Sequence, residues 1–249
     1  MEKIGKKLYI NNIMPKPQTF TARLEDKVIF NDKYVHYFFE LEEPNRMEFK
    51  GGQFVSIQVD EKGTRRAYSI ASSPAVGHGF ELLVNNEPNG LGVNYLRNLQ
   101  FGDKISCMAP LGVFTIAEES DEKALTFIGT GCGVSALRSM ILEQLQKKQD
   151  KRKMVLYWGL RYVEDLFWAN EFQNLATSFP HFHFHPTISR PSEGWTLCKG
   201  RVTDCLAIHD LLEDSGYYLC GMQVMIDDVV KLLKEKGVPE HRIHHEKFN

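Results

Sequence analysis

Four consecutive residues, Arg66-Ala67-Tyr68-Ser69, combine a cation, an aromatic ring and a hydroxyl group in one short segment. On a strand, Arg66 and Tyr68 point to one side, and Ala67 and Ser69 to the other. A guanidinium group binds phosphate oxygens in a bidentate manner, and an aromatic side chain offers its face to a conjugated ring. The segment therefore fits an extended ligand with a pyrophosphate and a flat ring. A hairpin with a surface arginine and a core tyrosine has the same spacing.

A second segment, Gly90-Leu91-Gly92-Val93, opens a short helix predicted at about Val93–Leu99. Glycines at the start of a helix expose backbone N–H groups where the helix dipole favours an anion. Combined with Arg66 and Tyr68, this turn favours a flavin dinucleotide site over the hairpin alternative.

A third segment, Gly129-Thr130-Gly131-Cys132-Gly133, lies between a predicted strand, Ala124–Gly129, and a predicted helix, Val134–Lys147. That is the context a dinucleotide-binding turn requires, although the motif alone is weak because many tight turns use glycine. The next predicted strand, Met154–Trp158, is followed by Gly159-Leu160-Arg161 and by no acidic residue that would bind a ribose. This absence argues against an ordinary NAD-dependent dehydrogenase.

Size and charge limit the class of protein. The chain has 249 residues, 43% of them hydrophobic and 25% charged, which allows two modest domains. The net charge of −2 predicts no attraction to nucleic acid or to an anionic membrane. We find no signal peptide and no apolar run that would span a bilayer, so the sequence predicts a cytoplasmic protein.

The five cysteines do not suggest a structural framework. Their number is odd and no Cys-x-x-Cys pair occurs, so we expect no disulfide framework. Their spacing matches no iron–sulfur pattern, so any such centre that works with this protein is expected on another chain.

The residue pattern divides the chain into two domains. Short segments rich in β-branched and aromatic residues run from about Gln18 to Ile116 and predict an antiparallel barrel or sandwich. From Lys123 onward, predicted strands alternate with helices, which implies an α/β domain with a parallel sheet. The expected domains are residues 17–117 and 123–249, joined by the acidic stretch Glu118–Glu122, which we interpret as a solvated linker. The predicted strands are Thr19–Leu24, Val35–Leu41, Phe54–Val59, Phe80–Val84, Lys104–Met108, Phe182–Ile188, Tyr217–Cys220 and Ile243–His245, and the further predicted helices are Asp165–Ala176 and Met222–Lys236.

With these motifs, the chain resembles the ferredoxin–NADP reductase family, whose Arg-x-Tyr-Ser motif corresponds to Arg66, Tyr68 and Ser69. The resemblance covers about Thr19 to Phe248 and implies an FAD-binding β-barrel followed by a nucleotide-binding domain. It implies that Arg66 binds the FAD pyrophosphate, Tyr68 packs on the isoalloxazine ring and Ser69 faces its reactive nitrogen. The family usually has serine where Val93 stands, so we expect FAD to be held less tightly, through backbone N–H groups.

The same resemblance assigns residues around the nicotinamide. Cys220 and Gly221 would lie beside it, with Cys220 shaping the hydride path, while Glu246 would orient groups or relay a proton. Phe248 would lie near the flavin and give way to nicotinamide. A buried cysteine and a frayed terminus are the alternatives. The family's proline is replaced by Ala136, so the preceding turn is expected to be looser.

The choice of nucleotide depends on cations. Ser189, Arg190, Lys199 and Arg201 follow the strand that ends at Ile188, and no acidic residue takes the place of Arg190. A 2′-phosphate requires cations, so NADPH is favoured, while NADH stays possible. The expected activity passes a hydride from NADPH to FAD and then single electrons to an acceptor such as ferredoxin or flavodoxin. The alternatives are an NADH-dependent oxygenase component, a free-flavin reductase and a catalytically silent nucleotide-binding module.

Three histidines, His181, His183 and His185, alternate with Phe182 and Phe184, so on a strand they share one face and two or three of them could hold zinc. No cysteine or carboxylate stands near them in the sequence. We therefore interpret them as one polar strand face and expect no metal.

Overall fold

The computed structural model describes residues 16–87 and 89–248, and at residue 248 the backbone only. It confirms the predicted architecture, an antiparallel barrel followed by an α/β domain with a parallel sheet. Within the described residues, no helix has both the length and the apolar character needed to cross a bilayer.

The first six strands form one antiparallel sheet in the order β4-β3-β6-β1-β2-β5. The sheet nearly closes, because the N–H of Ala71, just after β4, donates to the carbonyl of Glu81 in β5 (2.8 Å). Alternate side chains point inwards and form one apolar core, in which Phe20, Tyr37 and Ile57 are almost fully buried. Helix α1 (Leu91–Asn98) follows β5. The strands are β1 (Gln18–Ile29), β2 (Tyr34–Glu43), β3 (Phe54–Gln58), β4 (Arg65–Ser69), β5 (Gly79–Asn85) and β6 (Lys104–Leu111).

The other six strands form a parallel sheet in the order β10-β9-β8-β7-β11-β12. The chain moves outwards from β7 in one direction and then returns to its other side at β11. Ligands of such sheets bind beyond the carboxyl ends of the strands where the order reverses, which here is β7. The strands are β7 (Ala124–Thr130), β8 (Lys153–Leu160), β9 (Phe182–Ile188), β10 (Cys198–Lys199), β11 (Ser215–Met222) and β12 (Ile243–Phe248), and the helices are α2 (Val134–Leu142), α3 (Ala169–Ser178), α4 (Val202–Ile208) and α5 (Gln223–Glu235).

The predicted elements are found, although several of their bounds differ and β10 and α4 were not predicted. Helix α4 is missing from the prediction, because its seven residues bury only Val202, Cys205 and Leu206 and give too short a periodic signal. Helix α3 begins at Ala169, four residues later than predicted, after one turn of 3₁₀ helix at Val163–Asp165. The predicted helix Val134–Lys147 is α2 followed by a wider π turn from Glu143.

The interpretation of Glu118–Glu122 as a solvated linker is wrong for its last residue. Glu122 is buried and accepts hydrogen bonds from the Tyr218 hydroxyl (2.9 Å) and from Nε2 of His244 (3.0 Å). These donors lower the pKa of the Glu122 carboxyl against the effect of its burial. The linker is therefore anchored in the second domain, because a buried carboxylate needs such donors.

The two domains meet through α2, which lies against the barrel. Arg138 donates hydrogen bonds to the carbonyl of Ala71 (2.6 Å) and to Oε2 of Glu81 (2.7 Å). On the next residue, the Ser139 hydroxyl donates to the carbonyl of Ser72 (2.7 Å). Because these groups are buried or nearly so, the contacts fix the barrel strand that ends at Ser69 relative to the turn that starts α2.

Cys198 and Cys205 form a disulfide with a Cα–Cα distance of 5.5 Å, a single bridge that the expectation of no disulfide framework did not foresee. The chain turns at Gly200, where φ is +95°, and then enters α4, so two cysteines seven residues apart come together. The sequence spacing alone does not reveal this turn. Cys107, Cys132 and Cys220 are free.

Candidate functional site

The edge strand β4 and the start of α1 form the first candidate cradle. Gly92 lies directly against this strand, and a Cβ at this position would overlap the Tyr68 hydroxyl and lie 2.8 Å from Cγ of Arg66. Arg66 and Tyr68 therefore share one side of β4, as the sequence predicts. The neighbouring Ala67 is exposed on the strand, and burial raises the pKa of Tyr68 to about 12, which keeps its hydroxyl protonated.

The first turn of α1 leaves backbone donors available to a ligand. Its N-cap residue, Gly90, offers no side chain, and the first intrahelical bond runs from the N–H of Asn94 to the Gly90 carbonyl (3.0 Å). The N–H groups of Leu91, Gly92 and Val93 therefore precede the helical hydrogen-bond ladder. The turn contains no acidic residue, and the stem of the exposed Arg66 side chain lies beside it, so the cradle fits a pyrophosphate.

The Val93 side chain explains how a valine is accommodated where the family has serine. It is half-buried and packs against the barrel core. Its N–H belongs to the same first turn as that of Gly92. The residue therefore offers a backbone donor and no hydroxyl, as expected from the sequence.

The second candidate cradle is the turn between β7 and α2. A Cβ on Gly133 would overlap the carbonyl oxygen of Cys220 and lie 2.9 Å from N of Gly221. Gly131 has a φ of +52°, in the left-handed region that favours glycine. A Cβ on Gly129 would lie 2.8 Å from the Leu137 side chain. The glycines thus let this turn close directly onto the end of β11.

One hydroxyl group in this turn is buried without a protein partner in the described part of the chain. Oγ1 of Thr130 is buried and finds no hydrogen-bond partner among the described residues. A Cβ on Gly221 would lie 2.5 Å from it, so the hydroxyl occupies the gap between the ends of β7 and β11. Buried polar groups are normally paired, and a polar nucleotide at this end of the sheet would supply the partner. The residues present therefore fit a dinucleotide.

The two cradles are linked by a short path of contacting residues. Ser69 is buried at the end of β4 and pairs in register with Phe54. The Phe54 ring would lie 2.9 Å from a Cβ on Gly112, and Oε1 of Glu246 would lie 3.9 Å from the same position. Glu246 in turn pairs in register with Cys220. The structure thus brings Ser69, Glu246 and Cys220 to the junction of the two domains.

The environment of this junction favours uncharged groups. Burial raises the pKa of the Glu246 carboxyl to about 7, so it exchanges a proton near neutral pH. The Cys220 thiol is fully buried, and its pKa is raised well above the usual value by burial and then by Glu246 and Cys132. Cys220 is therefore a protonated, unreactive side chain that shapes the space around it.

The predicted cations are exposed at the carboxyl ends of two neighbouring strands. Arg190 follows β9, and its Nη1 donates to the Tyr162 hydroxyl (3.2 Å). Its N–H also bonds to the Arg161 carbonyl (2.8 Å), which places a second arginine beside it that the sequence analysis did not select. Lys199 pairs in register with Ile188, so it lies level with the end of β9. Ser189 and Arg201 are exposed beside them.

Two further observations concern predicted residues. Arg201 contacts Asp228 with an Nη1–Oδ2 distance of 3.6 Å, so the Asp228 carboxylate already neutralises part of the Arg201 charge. The backbone of Phe248 pairs with Met222, but its side chain lies outside the described part of the chain, and its role beside the flavin stays a prediction.

The sequence analysis did not identify the residues that fix the two cradles relative to each other. Arg138 and Glu81 are ordinary charged residues in the sequence, and no local pattern shows that they meet across the domain boundary. Gly112 carried a signal, since it directly follows Pro110 and Leu111 at the end of β6, but its position beside Phe54 and Glu246 depends on the tertiary fold.

Each half of the chain matches the model of one known protein family. Residues 21–116 match the model of the oxidoreductase FAD-binding domain, and residues 127–231 match that of the oxidoreductase NAD-binding domain. The chain belongs to this family of FAD- and NAD-binding oxidoreductases.

The chain is also similar to individual proteins of known role. It is 34% identical over 208 residues to a component of the Na(+)-translocating NADH-quinone reductase of Neisseria meningitidis, with 77% of this chain and 50% of the relative covered. It is 33% identical over 205 residues to the anthranilate 1,2-dioxygenase electron transfer component of Acinetobacter baylyi, covering 82% and 59%. The chain thus spans little more than half the length of these relatives.

The fold is also shared with a solved reductase. The Amycolatopsis cytochrome P450 reductase GcoB superimposes with a TM-score of 0.85 at 27% identity, covering 93% of this chain and 70% of that one. The likeness extends over both domains, because nearly all of this chain is covered.

Proposed function

We propose that this protein passes a hydride from NADPH to FAD and then passes single electrons to a protein acceptor. The observation that carries the proposal is the contact path from Ser69 through Phe54, Gly112 and Glu246 to Cys220. It joins the end of the flavin cradle to the end of the nucleotide cradle. Bound FAD supplies the chemistry that converts a two-electron donor into one-electron steps.

The residues of the chain have separate roles in this proposal. Arg66 and the N–H groups of Leu91, Gly92 and Val93 hold the pyrophosphate, while Tyr68 packs on the flat ring. Ser69 supports the reactive edge of that ring with its hydroxyl. Cys220 excludes water and sets the approach of the nicotinamide, which the turn from Gly129 to Gly133 and Gly221 would seat.

Glu246 is the proton-exchanging residue of the proposed site. Its pKa of about 7 lets it hold or release a proton under ordinary conditions. Its carboxyl lies beside Gly112, at the junction, and not in either cradle. We therefore assign it to proton balance and orientation at the junction.

The preference for NADPH is supported by exposed cations at the ends of β9 and β10. Arg190 and Arg161 lie side by side, and Lys199 lies level with the same strand end. NADH is the second candidate, favoured by the contact of Arg201 with Asp228 and by the name of the Neisseria relative.

The acceptor is proposed from the relatives. The dioxygenase component and the cytochrome P450 reductase are named as partners of oxygenases, so an oxygenase component joins ferredoxin and flavodoxin as a candidate acceptor. We propose the cytoplasm as the compartment, because the proposed electron donor is made there. The domain limits 17–117 and 123–249 also stay predictions, to be tested by expressing each part separately.

The decisive experiment is anaerobic titration of the FAD-loaded protein with NADPH and, separately, with NADH, while bleaching of the flavin is followed. We expect NADPH to bleach the flavin faster than NADH does. The Arg190→Ala variant should lose this preference for NADPH. The control variant Arg46→Ala, which changes an exposed arginine of the barrel, should keep it. Equal or faster bleaching by NADH would contradict the assignment of NADPH as the electron donor. Protein that stays colourless with added FAD would favour the silent binding module.

The acceptor is tested with the same reduced protein. Rapid reduction of a ferredoxin or flavodoxin, with slow reduction of free FMN, is the expected result. Efficient reduction of free FMN alone would contradict a protein acceptor and favour a free-flavin reductase.

A further inference from the structure

Two sulfur atoms and an imidazole converge beside α4, away from the junction of the two domains. Cys198 lies on β10, Cys205 lies on α4 and His209 is the residue at which α4 ends. One ligand atom from each lies within 4.8 Å of the other two. His209 is the C-cap residue that follows α4, four residues after Cys205, which brings the two to the same side of the helix end.

The surroundings of this cluster protect it from water. Cys205 is buried, and Cys198 and His209 are half-buried. The His209 ring packs against that of His185 on β9, with 4.4 Å between ring centroids, and His185 stacks on Tyr157 of β8. The histidine strand that the sequence singled out thus forms one wall of the cluster and holds the His209 ring beside the sulfurs.

The orientation of His209 decides which of its ring nitrogens could bind a metal ion. Its Nδ1 lies 2.7 Å from the Cys205 carbonyl oxygen, which can only accept, so Nδ1 donates this hydrogen bond and Nε2 is the nitrogen that could bind a metal ion. The same Nδ1 lies 3.8 Å from Sγ of Cys205. Neutral imidazole and thiolate are donors that select zinc and similar borderline-soft metal ions over calcium or magnesium.

We propose that Cys198, Cys205 and His209 form a binding site for a divalent metal ion such as zinc, open only when the disulfide is reduced. In the oxidised protein the two sulfur atoms are bonded to each other and cannot both act as thiolates. The disulfide and the bound metal are therefore alternative states of the same residues. Three protein donors leave one position of a tetrahedral ion for water.

The change from the disulfide to the metal-binding state requires a reductant, and a dithiol supplies the electrons and protons it needs. The dithiol gives two electrons and two protons to the Cys198–Cys205 bond, which becomes two thiols, while the dithiol itself becomes a disulfide. The two thiols then release two protons as their sulfurs bind the metal ion. The site should therefore bind metal more tightly as pH rises.

The test uses the full, FAD-loaded chain, reduced with a phosphine, freed of reductant under argon and titrated with Co²⁺ and then Zn²⁺. We expect one equivalent of Co²⁺ to produce thiolate-to-metal absorption, and Zn²⁺ to remove it. Protein kept in the disulfide form should give no such signal. Reduced protein that binds no Co²⁺ or Zn²⁺ would overturn the proposal.

Variants separate this cluster from the other thiols. The Cys198→Ser and Cys205→Ser variants should each lose the thiolate-to-metal absorption. The His209→Ala variant should bind the metal ion less tightly. The control variant His183→Ala, which changes an exposed histidine of the same sheet, should bind it as tightly as the wild type does. Bound flavin per chain and circular dichroism show whether each variant is folded. Unchanged binding by the folded Cys198→Ser/Cys205→Ser double variant would assign the metal to Cys107, Cys132 or Cys220 and overturn the proposal.

Discussion

The two cradles use glycine for different reasons. At Gly92, the space a side chain would need is filled by Tyr68 and Arg66, both side chains that can move. At Gly133, the same space is filled by the backbone of Cys220 and Gly221. The cradle at Gly92, proposed for the flavin, is therefore bounded by side chains, and the cradle at Gly133, proposed for the nucleotide, by the close approach of two backbone segments.

This difference separates ligand binding from folding. A change in the flavin cradle should weaken binding while the barrel core, with Phe20, Tyr37 and Ile57, stays intact. A change in the nucleotide cradle should push β7 away from β11, which are neighbours in the centre of the parallel sheet. The same type of substitution therefore has different consequences in the two domains.

The largest effect is expected from Gly133→Ala. The added methyl group overlaps the Cys220 carbonyl, and relief requires movement of the backbone, so we expect a loss of about 3 kcal/mol or more in unfolding free energy. Denaturant unfolding measures it. Gly90→Ala is the control, because nothing lies within 4 Å of its Cβ position and its φ is −90°. Equal stability of the two variants would contradict the comparison.

Arg66→Ala should weaken FAD binding without unfolding the barrel. The Arg66 guanidinium is exposed, and its loss removes charge-assisted hydrogen bonds to phosphate worth about 1.5–3 kcal/mol, or roughly a 10- to 100-fold lower affinity. Fluorescence titration of the apoprotein with FAD measures the affinity. Arg97→Ala, an exposed arginine near the end of α1, controls for loss of positive charge. Unchanged FAD affinity in Arg66→Ala would show that the pyrophosphate is held elsewhere.

Gly92→Ala should give a smaller loss of FAD affinity than Arg66→Ala, because Tyr68 and Arg66 can shift to admit one methyl group. We expect about a tenfold decrease, with an unfolding free energy of the apoprotein close to that of Gly90→Ala. The two alanine variants are compared by FAD titration and by denaturant unfolding. A large loss of stability with unchanged FAD affinity would mean that Gly92 has the same backbone role as Gly133.

The sequence predicts what depends on local pattern. Arg66 and Tyr68 lie together because a strand has a two-residue period, and the turn at Gly131 needs a left-handed residue whatever surrounds it. The sequence does not predict pairings that the tertiary fold creates. Arg138 reaches Glu81 across the domain boundary, Glu122 finds its donors on β11 and β12, and Cys198 meets Cys205 only because the chain reverses at Gly200.

The smallest expected effect, at the junction between the two cradles, is the pH dependence of Glu246→Gln. Burial raises the Glu246 pKa from 4.5 to about 7, so the folded protein keeps a proton that the unfolded chain releases between these values. Wild-type stability therefore falls as pH rises through this range, whereas glutamine has no proton to lose. After allowance for partial exposure, we expect Glu246→Gln to gain about 1–2 kcal/mol relative to wild type between pH 4.5 and pH 8.

Denaturant unfolding at several pH values measures this gain, with Glu240→Gln as the contrasting variant. Glu240 is exposed, and its hydrogen bond with Lys234 lowers its pKa, so its stabilising contribution is present at neutral pH and is lost on acidification. The Glu240→Gln variant should therefore show no relative gain above pH 5. A constant difference between Glu246→Gln and wild type at all pH values would mean that Glu246 ionises freely, and the junction would then lack its proton-exchanging residue.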